Sequence, residues 1–155
     1  NQPESLYGSQ PSKATVLFVM SAECPCSGGY DTRMVSLARD YAAKGVRFIA
    51  MNSSANETAQ EIAKRAQQAG YPFPVVKDAG NKIADRIGAQ VTPEVFVIDS
   101  SKVLRYHGRI DDNRKETLVQ SHDLRNALDF LLAGKTPQRS DQRSFGCAIY
   151  RAKSK

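Results

Sequence analysis

The sequence has no apolar run approaching the roughly 20 residues that a membrane-spanning helix needs. The longest, Ala14 to Met20, already contains Thr15. A glycine-rich Gly-x-Gly-x-x-Gly loop is missing, so no nucleotide or other organic cofactor is implied. Only three cysteines (Cys24, Cys26, Cys147) and two histidines (His107, His122) occur, too few for two cysteine pairs around a closed zinc site. What is present fits one globular domain: 155 residues, 41% of them apolar and 25% charged, too hydrophobic for a disordered chain and ordinary for a soluble one.

The formal charge of +6 raises a nucleic-acid or anionic-surface partner, so its location matters. From Lys135 onward there are six bases (Lys135, Arg139, Arg143, Arg151, Lys153, Lys155) against one acid, Asp141, which leaves +5. The preceding residues carry 16 bases against 15 acids. A nearly neutral body with a basic tail is not a phosphate-tracking groove, which spreads Lys and Arg over one folded face among stacking aromatics. Nucleic acid is therefore excluded as the expected partner. The division expected is a flexible segment over 1–12, a domain over 13–134 and a basic tail over 135–155 that carries Cys147. The chain starts at Asn1, and its polar opening, rich in Ser, Gln and Pro, is expected to be either a trimmed start or a mature end after signal removal.

Ala14 to Met20 reads as a buried strand, and Met34, Leu37, Ala38 and Tyr41 give the stripe of an amphipathic helix. Val46 to Met51 is a second strand. Asn56 is placed to cap a helix running from about Glu57 to Ala69, which Gly70 ends. A short strand over Phe73 to Lys77 and a two-turn helix over Asn81 to Ile87 come next, then Val91-Thr92-Pro93 and the strand Glu94 to Asp99. Asp99 to Lys102 is a turn that returns Val103 to Ile110 as a hairpin. After a polar loop over 111–120, Ser121 is placed to cap a helix carrying Leu124, Ala127, Leu128, Leu131 and Leu132 on one face. Three alternating βα units succeeded by a hairpin and a helix predict an α/β protein with a mixed sheet between helices. Phe145 to Tyr150 is an apolar patch in the basic tail, which predicts that the tail docks on the body.

Two cysteines flank Pro25 where the first strand hands over to a helix. The thiolate is the reactive form, and the unpaired amides at a helix start favour it. Redox chemistry at this turn is therefore the leading expectation.

Cys24-Pro25 after a buried strand, Thr92-Pro93 before another, the stretch Tyr106 to Asp112 and the terminal Phe145-Gly-Cys-Ala-Ile149 together resemble bacterial thioredoxin-like proteins of the alkyl hydroperoxide reductase and thiol-specific antioxidant (redoxin) group. The resemblance runs from about residue 13 to 151. It implies a thioredoxin fold with an extra α/β insertion and a C-terminal tail, a cis Pro93 packed against the reactive cysteine, and Cys24 as the leading nucleophile, with Cys26 the alternative.

The sequence departs from the Cys-x-x-Cys pattern of thioredoxins, and Ser21 stands where several relatives have a cysteine. Two resolving partners remain open: Cys26, which would close a small strained ring, and Cys147, brought back by the tail. The leading expectation is thiol–disulfide exchange with a protein thiol or disulfide, recharged by an electron-donor thiol protein in an extracytoplasmic compartment. A second is peroxide reduction, with Ser21 and an arginine such as Arg109 beside Cys24, although Leu17 stands where peroxiredoxins have a proline. A third is a thiolate copper site built from Cys24, Cys26 and Cys147 with help from His107. Glu23 reads as a solvated carboxylate at a helix start, with assistance to proton transfer as the alternative.

Overall fold

The computed structural model describes residues 11–137 and 141–153. β1 (Ala14–Met20) is buried along its whole length, because its side chains alternate between two separate cores. It leads through a turn into α1 (Pro25–Gly28) and α2 (Asp31–Ala42). β2 (Val46–Asn52), α3 (Ala59–Ala69) and β3 (Val75–Lys77) come next, then α4 (Lys82–Ile87) and the two-residue β4 (Val91–Thr92). β5 (Glu94–Asp99) and β6 (Leu104–Gly108) form the hairpin, and α5 (Asp123–Leu132) succeeds it. Two short strands, β7 (Asp141–Gln142) and β8 (Cys147–Ala148), lie in the C-terminal segment.

The main sheet has the order β3-β2-β1-β5-β6-β7, and β4 pairs with β8 in a separate ribbon. β1 is parallel to β2 and antiparallel to β5, so the sheet is mixed. Val16, Phe18 and Met20 face α2 and α5, where Met34, Leu37, Tyr41, Leu124 and Leu128 complete one core. Leu17 and Val19 face the other side, with Ile49, Met51, Phe96, Ala84 of α4 and Ile149 of the C-terminal segment.

The helix caps differ from expectation at two places. Asn56 does not cap α3; its amide reaches Glu23 instead, 3.3 Å away. Thr58 is the cap, its Oγ1 accepting the Glu61 amide at 3.3 Å while the Glu61 carboxylate accepts the Thr58 amide at 2.7 Å. The helix begins two residues late because Glu57 turns inward and is 4% exposed. At α5 the cap position is His122, and the Ser121 hydroxyl donates to the Asp123 carboxylate at 2.9 Å rather than capping amides.

The C-terminal segment docks on the body twice. β7 runs beside β6 with Gly108 opposite Gln142, and a Cβ at Gly108 would lie 2.8 Å from the Gln142 carbonyl carbon. β8 pairs with β4 so that Cys147 lies opposite Thr92. Here the glycine belongs to the segment: a Cβ at Gly146 would fall 2.6 Å from the Thr92 carbonyl carbon and 3.1 Å from the Pro93 nitrogen. Ile149, 5% exposed, anchors the end of the segment in the second core.

Candidate active site

Cys24 sits where β1 ends and α1 begins, with Pro25 in the first helical position. Its φ of −75° and ψ of 115° make it the cap of α1, and its sulfur accepts the Ser27 amide at 3.4 Å. The side chain is 7% exposed. On its other side the thiol reaches the Thr92 carbonyl at 3.3 Å, beside the cis Thr92–Pro93 peptide.

The turn that presents Cys24 is held from below by a buried carboxylate. Glu57 accepts from the Ser21 hydroxyl, from the Ala22 amide at 2.8 Å, from the Glu23 amide at 3.3 Å and from the Asn52 side chain at 2.6 Å. Ser21 Oγ in turn accepts the Cys24 amide at 3.1 Å. Lys77 Nζ donates to Asn52 Oδ1 at 2.9 Å and to the Glu57 carbonyl at 3.0 Å. A cation thus stands next to the buried anion, as a charge taken out of water requires.

The β4–β8 ribbon carries Cys147 to the same place. The sulfurs of Cys24, Cys26 and Cys147 all lie within 4.8 Å of one another, so the structure brings together all three cysteines and sets Pro93 beside them. All three are free thiols, Cys24 buried and the others half-buried. Burial pushes the Cys24 thiol up, but its hydrogen-bonding contacts with Cys147, Thr92 and the Ser27 amide outweigh it and leave its pKa below the ordinary value of 9.0. Cys147 moves the other way: its hydrogen bond to Cys24, then burial, then the adjacent Cys24 charge push it up to about 12. The thiolate is thus favoured at Cys24 and disfavoured at Cys147.

The other sequence candidates are engaged elsewhere. His107 does not join the sulfurs; it stacks on Phe96 with ring centres 4.2 Å apart and bonds Glu94 through Nε2 at 2.7 Å. Arg109 pairs with Asp123 at 2.8 Å, fixing the start of α5. The Ser21 hydroxyl proton is committed to Glu57, so the peroxide reading gains no free donor from it.

Glu57, Asn52 and the Arg33–Asp111 pair are site residues that the sequence reading missed. Arg33 is 9% exposed and bonds both Asp111 oxygens, at 2.9 and 2.7 Å, and the Asn113 carbonyl at 2.8 Å. It also lies over the Tyr30 ring at 4.2 Å, while the Tyr30 hydroxyl donates to Asp111 at 3.0 Å. This network ties the start of α2 to the loop after β6, and so gives the Tyr106 to Asp112 stretch a physical role. Arg114 in that loop borders a small pocket beside the sulfurs, shared with Pro25, Cys26, Gly29 and Tyr30. The available signal was Arg33 standing with Tyr30 and Leu37 on the apolar face of α2, where a charge demands a buried partner.

Comparison with known proteins agrees with this architecture. The Redoxin family model matches residues 4–128, which includes the Cys24 turn and Pro93 and stops short of Cys147. No curated protein sequence matches. Among solved structures, hypothetical protein SMc02350 from Sinorhizobium meliloti is 32% identical over 93% of this chain and 82% of its own, with a TM-score of 0.85. An uncharacterized conserved protein from Geobacillus kaustophilus is 31% identical over 93% and 80%, with a TM-score of 0.86. A secreted Mycobacterium tuberculosis disulfide oxidoreductase homologous to E. coli DsbE is 16% identical over 79% and 81%, with a TM-score of 0.58, a likeness of fold. A matched span of this extent, on a thioredoxin-like sheet that delivers a cysteine to a helix start beside a cis-proline, places the chain in the Redoxin family of thiol-based oxidoreductases.

Proposed function

We propose that this protein is a thiol–disulfide oxidoreductase in which Cys24 attacks and Cys147 resolves, with Pro93 shaping the substrate-facing side. The observation that carries the reading is the convergence of the Cys147 sulfur on Cys24, within 4.8 Å and opposite Thr92, at the start of α1. The Cys24 thiolate attacks a disulfide sulfur of a protein substrate; that S–S bond breaks, a mixed disulfide forms and one substrate sulfur leaves as thiolate, taking up a proton. Cys24 is then neutral. The hydrogen bond and charge that held the Cys147 proton are gone, so its pKa falls when a second nucleophile is needed. The Cys147 thiolate attacks Cys24 Sγ, the second substrate thiol is released, and a Cys24–Cys147 disulfide remains. Two electrons have passed to the substrate, and an electron-donor thiol protein restores the dithiol; run backwards, the same steps oxidise a substrate.

Cys147 is favoured over Cys26 as resolver because a disulfide between residues separated by one position distorts its preferred geometry. An extracytoplasmic compartment suits a working disulfide and agrees with the secreted relative of similar fold. The test is an insulin-reduction assay with trapping. The Cys147→Ser variant is expected to accumulate a mixed disulfide at Cys24, and Cys24→Ser to lose turnover. Full turnover by Cys24→Ser would overturn the assignment.

A further inference from the structure

Disulfide exchange uses two thiols, yet three converge here. Cys26 has no step to perform in the exchange between Cys24 and Cys147, and its sulfur still lies within 4.8 Å of both. We propose that the three sulfurs form a binding site for a single soft d10 cation, Cu(I), held by three thiolates. A site of this kind goes beyond disulfide exchange and does not depend on it.

The geometry suits a three-coordinate ion. With metal–sulfur bonds of about 2.3 Å, a trigonal site needs sulfurs about 4.0 Å apart. No pair here has more than about 0.8 Å to close, set against the 4.8 Å limit. The donor chemistry selects the ion. Thiolates favour Cu(I) and zinc over hard cations, and a closed zinc site wants a fourth ligand. Among the described residues no histidine or carboxylate completes the group. The Nε2 of His107 is taken by Glu94, and its Nδ1 faces Asp141 at 4.0 Å. Three soft ligands and no fourth are what a low-coordinate Cu(I) centre accepts.

The site is built by the same parts that present the thiols. Cys24 and Cys26 are carried on either side of Pro25, and Gly146 lets Cys147 approach by keeping its segment against Thr92. Binding forms three S–Cu bonds and releases to solvent the protons of those sulfurs that are thiols, with no change of oxidation state. The loaded centre is closed to oxidation at sulfur, so metal and disulfide exclude one another.

The experiment uses the full chain, reduced and kept anaerobic, titrated with Cu(I) against a chromogenic Cu(I) chelator. One Cu(I) per chain is expected, with thiolate-to-copper charge-transfer absorption. The Cys26→Ser and Cys147→Ser variants, each shown to be folded by circular dichroism, are expected to weaken binding by more than about 100-fold, beyond what loss of an outer-sphere contact does. Copper-loaded protein is expected to keep all three thiols after treatment with diamide. Wild-type affinity in Cys26→Ser, no uptake by the wild type, or Zn(II) displacing Cu(I) would each overturn the site. A chain that takes no Cu(I) yet resolves the Cys24 mixed disulfide through Cys147 loses the metal site alone.

Discussion

Replacing Gly146 by alanine isolates the contribution of tail docking to the chemistry of Cys24. The added Cβ would stand 2.6 Å from the Thr92 carbonyl carbon and closer still to its oxygen, where ordinary contact begins near 3.4 Å. Something must move by about 0.8 Å or more, taking 3.4 Å as the limit. Thr92 is 1% exposed and lies against Cys24, so the two-residue strand β8 is the part that yields. Overpacking of this kind costs about 1–3 kcal/mol. Spent on local undocking, that lowers the docked population by about 5- to 150-fold.

The rest of the segment remains anchored, because Ile149 is buried, its amide donates to Gln90 at 3.0 Å and the Ala152 amide donates to Asn81 at 2.7 Å. The global melting temperature is therefore expected to change little while the site changes much. Losing the Cys147 donors raises the Cys24 pKa back toward its ordinary value, so the pH midpoint of Cys24 alkylation moves up. Resolution of a Cys24 mixed disulfide slows by a factor in the same 5- to 150-fold range. Both are measured by iodoacetamide kinetics across pH and by mass mapping after quench. If Gly146→Ala alkylates with the wild-type midpoint and resolves at the wild-type rate, the argument that Gly146 holds Cys147 against Cys24 is refuted.

Glu57→Ala strips four donors of their acceptor at a buried position and is expected to destabilise the protein by about 3 kcal/mol, with slower Cys24 alkylation as the 21–24 turn loosens; urea denaturation and thiol kinetics measure both. Arg33→Lys keeps the charge but has one nitrogen where Arg33 uses Nη1 on Asp111 and the Asn113 carbonyl and Nη2 on the Arg114 carbonyl, and a loss of about 2–3 kcal/mol in a urea titration is expected rather than rescue. The Glu94 hydrogen bond, opposed by burial and joined by the charges of Glu94 and Asp141, raises the folded pKa of His107 above its ordinary 6.5. Its stabilisation is full below about pH 6.5 and is lost as pH rises through the elevated folded value, so the urea midpoint should fall over that window and fall less in His107→Gln.

The parts of the fold that depend on local pattern were readable from residues alone. β1 announced itself as a short apolar run, and α5 through Leu124, Ala127 and Leu128 on one face, because periodicity reports burial directly. The features that escaped were set by partners distant in sequence. Glu57 looks like an ordinary acid at a helix start, and only the approach of residues 21–23, more than thirty positions away, turns it inward. The Thr58 cap was hidden for the same reason, since the helix start is displaced by the inward turn. The meeting of Cys147 with Cys24 was suggested by an apolar patch in a basic tail, but its register against Thr92 is fixed by Gly146, whose role a sequence cannot display.

The C-terminal segment also changes what the charge balance means. The +6 of the whole chain raised a nucleic-acid or anionic partner, and the +5 of this segment argued against it. In the fold, Arg151 bridges to Asp85 at 2.8 Å and packs its segment against α4, a structural use of that charge. The same segment supplies the third sulfur, the glycine that lets it approach and Phe145 against Tyr30, with ring centres 6.3 Å apart. Tyr30 in turn bonds Asp111, so the Cys147 segment, the start of α2 and the loop after β6 are mechanically continuous. A site that in Cys-x-x-Cys proteins is closed by one helix turn is here closed by three chain segments. Perturbing the Arg33–Asp111 pair should therefore reach the thiols as well as the stability: in Asp111→Ala, the Cys24 alkylation midpoint is expected to shift upward, and an unchanged midpoint in a folded variant would show that the network supports the fold without reaching the sulfurs.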